Sequence, residues 1–101
     1  MEAAVPCYVM LEFTAKPGTG PAMLGALREA LPETRNKNGC LSLDVTVNQD
    51  NTDNILLVMR WATRQHYATY RAWREANGDV QRFAELTVGG LSTRFFDPAD
   101  A

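Results

Sequence analysis

Histidine and cysteine are scarce in this chain, with one His and two Cys among 101 residues. Neither cysteine belongs to a CxxC pair, so the sequence carries no spacing for a thiolate metal centre or a disulfide framework. One imidazole and scattered carboxylates likewise give no metal-ligand pattern. No charge sign dominates, since 10 Lys and Arg face 12 Asp and Glu for a net charge of −2. A nucleic-acid partner is therefore not expected, because it would call for a basic stripe. Uninterrupted apolar runs fall far short of the ~18 residues that suggest a membrane span. The opening residues Met1 to Pro6 lack the basic start of a signal peptide, and a cytoplasmic address is the expectation. GxGxxG, P-loop and GxSxG motifs are missing too, which leaves dinucleotide, phosphate-cradling and hydrolase readings without support.

What is present is a chain with 46% apolar residues, suited to one compact domain. Cys7 to Thr14 reads as a strand, apolar on both faces until Glu12. Lys16 to Gly20 breaks it, and a helix follows with Met23, Leu24, Leu27 and Leu31 on one stripe. Pro21 suits its first turn, and Pro32 is expected to kink it or restart its last turn. Asn36 to Gly39 forms a turn before the strand Cys40–Asn48, where Leu41, Leu43, Val45 and Val47 are expected on one face. Gln49 to Asn54 reads as a hairpin loop.

Ile55 to Trp61 is a buried strand running into a helix at about residues 64–77, with Thr63 as N-cap and Gly78 as C′ residue. Asp79 looks like the N-cap of a short helix with Val80, Phe83 and Leu86 inward. Val88-Gly89-Gly90 ends it, and residues 91–96 read as a last strand. The domain is thus expected over 7–96, between an N-terminal extension (1–6) and a mobile tail (97–101).

The order β-α-β-β-α-(α)-β is that of an α+β, ferredoxin-like fold with a four-stranded antiparallel sheet. Its central strands are the first and third, which leaves Cys7 and Cys40 too far apart to bridge. Two helices cover one face of such a sheet. The apolar second face implies a homodimer packed sheet to sheet.

Strand and helix together bring Trp61 near Tyr67 and Tyr70, with Arg71, Arg74 and Trp73 alongside. Aromatic walls with a few hydroxyl and guanidinium donors suit a flat, phenol-like ligand, and the plain alternative is an aromatic core. His66 is one helical step of about 100° from Tyr67, which favours a packing role over a general base. Arg60 is expected to pair with Glu12 or Asp44 across the sheet. Arg71 is expected to be solvated or dimer-facing, with one side on the Tyr67 stripe. Met10 and Met59 are possible pocket lining, and Met23 a core filler.

Gly39-Cys40-Leu41-Ser42 entering a strand, and Arg60-Trp61 before a Thr-capped helix, resemble the antibiotic biosynthesis monooxygenase domain over residues 7–96. The resemblance implies a dimeric α+β barrel with a pocket between sheet and helices in each subunit. It also implies oxidation of phenols or quinols by dioxygen, with no metal, flavin or haem cofactor. Trp61 and Tyr67 are then the expected catalytic pair, the indole walling the cavity and the phenol binding a substrate oxygen or relaying a proton. Tyr70, Arg71, Met59 and Leu57 are the expected substrate contacts. Leu57 stands where the polyketide-oxidising members carry an assisting asparagine. Arg71 stands where haem-degrading members carry a histidine, and the first strand has no asparagine, so haem degradation is disfavoured. Tyr70 occupies a position that is histidine in many relatives. A non-catalytic module that binds a small aromatic, or serves assembly alone, remains the alternative.

Overall fold

The computed structural model describes residues 5–101, so the first four residues of the expected N-terminal extension lie outside it. The elements run β1 (Cys7–Ala15), α1 (Gly20–Arg35), β2 (Cys40–Asn48), β3 (Asn51–Trp61), α2 (Arg64–Ala76), α3 (Asp79–Ala84) and β4 (Thr87–Phe96). They form one antiparallel sheet in the order β2-β3-β1-β4, with the helices on one face. This is the expected α+β, ferredoxin-like arrangement.

Strand alternation sorts the two faces. Val9, Phe13, Ile55, Leu57, Met59 and Trp61 are buried beneath Met23, Leu27 and Leu31 of α1 and Tyr67 of α2. On the far side Met10 pairs with Val58, Tyr8 with Phe96, and Glu12 with Leu56. Met10 therefore sits away from the helices and cannot line a pocket under them. Glu12 pairs with Arg94 at 3.5 Å rather than with Arg60, which lies opposite Tyr8 and Ser42.

β2 departs from its expected pattern. A register shift between Cys40 and Ser42 makes Leu41 the extra residue of a bulge, and it is 49% exposed. Val47 is exposed as well, because β2 is an edge strand and its side chains lose cover away from Leu43. The hairpin into β3 is tighter than expected, with only Gln49 and Asp50 between the strands and the Asn48 Oδ1 accepting from the Asp50 N–H at 2.8 Å. β4 starts earlier than expected and runs through Gly89 and Gly90. Their φ of 82° and 80° fits the register shift opposite Glu12 and Thr14.

α1 continues through Pro32 to Arg35 as one helix, and its start is held from β3, where the Asp53 carboxylate accepts from the Gly18 and Gly20 N–H groups at 2.9 and 2.8 Å. Thr63 caps α2 as expected, its Oγ1 accepting from the His66 N–H at 3.1 Å. Gly78, with φ 76°, ends α2 and also occupies the N-cap of α3, which moves Asp79 into the first turn of that helix. Freed from capping, the Asp79 side chain pairs with Arg74 at 3.0 Å and with Arg82. Leu86, expected inward, is half exposed after the end of α3. No helix of the described residues is long and apolar enough to cross a membrane.

Candidate functional site

A cavity of about 400 Å³ lies between the sheet and the helices, within the roughly 300–1,000 Å³ of small-molecule sites. Its floor is Leu11, Leu43, Leu57, Met59 and Leu91 from the strands, and Ala26, Leu27, Ala30 and Leu31 of α1 form one side. α2 supplies Tyr67, Tyr70, Arg71 and Arg74, and α3 with its following turn supplies Asp79, Val80, Arg82, Phe83 and Leu86. The helical spacing of Tyr67, Tyr70, Arg71 and Arg74 (i, i+3, i+4, i+7) places all four on one face of α2.

Polar chemistry is concentrated on that face. Arg71 Nη1 donates to the Tyr67 hydroxyl at 3.0 Å and to Thr93 Oγ1 at 3.2 Å, while its Nε donates to Glu75 at 3.1 Å. Burial pushes the Tyr67 phenol above its ordinary range, and the bond from Arg71 pulls the other way. Tyr67 and Arg71 also border a second hollow of about 350 Å³ between α2 and β4, so the pair stands in the partition between the two spaces.

Arg74 is a more deeply held cation, its side chain 13% exposed. Nε donates to the Tyr70 hydroxyl at 3.1 Å, Nη1 to Asp79 at 3.0 Å, and Nη2 to the Ala30 carbonyl and Thr34 Oγ1 at 3.1 and 3.0 Å. Burial opposes its charge, but the bonds to Tyr70 and Asp79 outweigh that and raise its pKa further. Thr34 is wholly buried and shares a 2.9 Å hydrogen bond with Tyr70. One guanidinium thus ties α1, α2 and α3 around the cavity. Sequence reasoning placed Arg74 only beside the aromatics and overlooked Thr34. Their joint signal was the Arg74–Asp79 separation across the Gly78 break, which is legible only once α3 folds back.

Of the residues expected to form the site, Tyr67, Tyr70, Arg71, Met59 and Leu57 come together around the cavity. Trp61 does not reach it. The indole is fully buried behind the wall, stacked on Tyr70 at 5.1 Å and edge-on to Tyr67 at 5.7 Å. Trp61 ends a strand whose side chains face the helices, and the two tyrosines close over it before it can contact the open space. Arg71 is not merely solvated, being half-buried on Tyr67. His66 is away from the cavity. Its ring packs on Gly39, and its Nδ1 lies 2.7 Å from Thr63 Oγ1. The same oxygen accepts from the His66 N–H, so Thr63 holds both the backbone and the ring of this residue at the helix start.

Cys7 and Cys40 both lie opposite Trp61, on either side of β3, and are free thiols. Two strand spacings of about 4.8 Å hold them apart. Burial raises both thiol pKa values, against the nearby charges of Arg64 and Arg35 respectively. No group of three or more His, Cys, Asp or Glu side chains able to hold a metal ion occurs among the described residues.

Residues 6–86 match the family model of the antibiotic biosynthesis monooxygenases. The chain belongs to the antibiotic biosynthesis monooxygenase family. This family member shares its fold with Rv0793 from Mycobacterium tuberculosis (22% identity, TM-score 0.81, covering 95% of this chain and 97% of that one). It is also similar to a monooxygenase from the gene ActVA-Orf6 of Streptomyces coelicolor, in complex with the ligand Nanaomycin D (18% identity, TM-score 0.80, covering 99% and 93%). PA3566 from Pseudomonas aeruginosa is a third neighbour (17% identity, TM-score 0.77, covering 99% and 100%). No curated protein sequence matches the chain significantly.

Proposed function

We propose that the protein is a monooxygenase that oxidises a phenolic or quinol-type aromatic with dioxygen, using no metal, flavin or haem. The observation that carries this reading is an apolar cavity whose two phenol hydroxyls are each held by a guanidinium. The small ligand bound to the Streptomyces coelicolor neighbour supports a small-molecule occupant. Triplet dioxygen reacts poorly with closed-shell organics, whereas an ionised, electron-rich phenol can give it one electron. The phenoxyl radical and superoxide then combine at a ring carbon, and loss of water leaves the quinone. One oxygen atom of O₂ enters the product and the other leaves as water.

The residues divide that work as follows. Arg71 with Tyr67 stabilises the substrate oxygen as phenolate, by a charge-assisted contribution of about 1.5–3 kcal/mol. Tyr70, fixed by Arg74 and Thr34, orients the ring from the other side. Leu57, Met59 and Leu11 exclude water from the radical pair. Trp61 acts behind the wall, holding both tyrosines in place, rather than by touching the substrate.

The catalytic unit is a homodimer in this proposal. The far face of the sheet presents Tyr8, Met10, Leu56, Val58 and Phe96, an apolar strip that a second copy of the same face would cover.

A binding or assembly module is the second reading, favoured by Leu57 at a site where chemistry would use a polar group. It is favoured too by the lack, among the described residues, of a carboxylate or imidazole bonded to Tyr67 or Tyr70. Oxygen-electrode assays with a panel of hydroquinones and naphthols, on metal-stripped protein, separate the two. Catalysed oxygen uptake that falls in Tyr67→Phe supports the enzyme. Tight binding with uptake no faster than in buffer supports the module.

A further inference from the structure

Trp61 is fully buried, and its indole Nε1–H is the one buried side-chain polar atom lacking a hydrogen-bond partner among the described residues. Leaving such a donor unpaired costs roughly 1–3 kcal/mol. A phenyl ring would fill much of the space without that cost, so packing alone does not account for an indole.

The surrounding charges single out the same residue. Tyr67 and Tyr70 each accept a hydrogen bond from a guanidinium, and Trp73 carries the Lys37 ammonium 3.5 Å above its ring and Arg74 at 4.8 Å. Removing an electron from any of these three rings places new positive charge beside a fixed cation, which is unfavourable. A tyrosine must also shed its phenolic proton on oxidation, and no carboxylate or imidazole among the described residues is hydrogen-bonded to either oxygen to take it. No cation lies over the Trp61 ring among the described residues. Its neighbours are instead polarizable, with Tyr70 stacked at 5.1 Å, Tyr67 edge-on at 5.7 Å, and the thiol residues Cys7 and Cys40 in register on either side.

We propose that Trp61 is a buried one-electron donor to the cavity, which quenches an oxygen-centred radical formed there by passing an electron through Tyr70 or Tyr67. The radical R–O• accepts one electron from the indole to give R–O⁻, which takes a proton from bulk solvent on leaving the cavity and becomes R–OH. Trp61 becomes the indole radical cation and keeps its Nε1 proton, because no acceptor stands beside it. A hydroquinone that enters ionised, its proton left in bulk solvent, then returns one electron to the indole and leaves as the semiquinone. The oxidising radical is thereby exported as a less reactive semiquinone, two of which disproportionate in solution to quinone and hydroquinone, before the cavity wall is damaged. This inference rests on the reading of the cavity as a site for redox-active aromatics.

The test uses the full chain with Trp73→Phe, so that Trp61 is the single tryptophan, loaded with a naphthoquinone photo-oxidant. Binding is first measured by titration, and the complex is then flashed and followed by time-resolved EPR. The expected result is a transient radical whose lines narrow when the protein carries indole-deuterated tryptophan and stay unchanged with ring-deuterated tyrosine. A signal that responds to tyrosine labelling instead, or no protein radical despite bound quinone, overturns the proposal and leaves the aromatic-ligand reading standing. Failure of the quinone to bind overturns that reading and this inference with it.

Discussion

Arg71 reaches one turn back along α2 to donate Nη1 to the Tyr67 hydroxyl at 3.0 Å, and the same nitrogen bonds Thr93 of β4. The pair is a partition between two hollows and one of two guanidinium–phenol pairs on the α2 wall of the cavity. Arg71→Gln keeps much of the length of the side chain but removes its charge. A phenolic ligand is expected to bind roughly 10- to 150-fold more weakly, equivalent to the loss of one charge-assisted hydrogen bond. Isothermal titration of wild type and variant with the same naphthol checks this, and equal affinities would remove Arg71 from the site.

Tyr67 also makes stability depend on alkaline pH. Its folded-state pKa is raised by burial above the ordinary phenol value near 10. The unfolded chain therefore loses this proton first as pH rises. The stabilising contribution is complete below about pH 10 and disappears as pH climbs through the folded value. Urea midpoints for wild type are expected to fall across that alkaline window more steeply than those of Tyr67→Phe. Parallel curves for the two proteins would contradict the assignment.

Arg74 joins three helices, so its loss is felt as stability as well as cavity shape. Arg74→Met leaves Tyr70 and Thr34 with only their mutual bond, removes the tie to the Ala30 carbonyl and leaves Asp79 with Arg82 alone. A destabilisation of about 2–4 kcal/mol is expected by chemical denaturation, below the full cost for a buried pair because Asp79 keeps contact with water. Arg74→Lys retains charge without the planar fork and is expected to recover less than half of the loss.

Gly39 has φ 89°, and a Cβ there would run into the His66 ring. Gly39→Ala is expected to cost more than about 1 kcal/mol through backbone conformation alone, with a further part from the clash. Adding His66→Ala should relieve the second part only. A double-mutant cycle on denaturation midpoints measures the split, and a zero coupling energy would show that the ring moves aside freely.

Val58 and Met10 are opposed at the middle of the uncovered sheet face. Val58→Lys places a charge in the proposed dimer contact while leaving the helical side of the sheet untouched. Light scattering is expected to give a dimer for wild type and a monomer for the variant, with unchanged far-UV circular dichroism. A wild-type monomer at micromolar concentration would end the dimer proposal.

The local features were legible in the residues themselves. Leu57, Met59 and Trp61 alternate onto one face of a strand, Thr63 offers a capping oxygen, and Tyr67, Tyr70, Arg71 and Arg74 fall on one helical face. Each is a matter of spacing along the chain, and spacing is carried by sequence. Element order then constrained the sheet, because a β-α-β-β-α-β chain has few ways to cover one face. Where local signals conflicted, folding chose. Leu41 looked like an alternating core residue, but the bulge made it an extra one. Gly89 and Gly90 looked like the break that ends the short helix, but their positive φ lets β4 pass through them in a shifted register.

The chain alone therefore determined which side chains share a face and which hydroxyls and cations travel together. Only tertiary structure decided which of them meet open space. Trp61 and Tyr67 look equivalent in sequence, yet the phenol borders the cavity and the indole is sealed behind it. Depth within a layered core is a three-dimensional packing outcome, set by how α1 and α3 approach α2, and no periodicity within one segment encodes that approach.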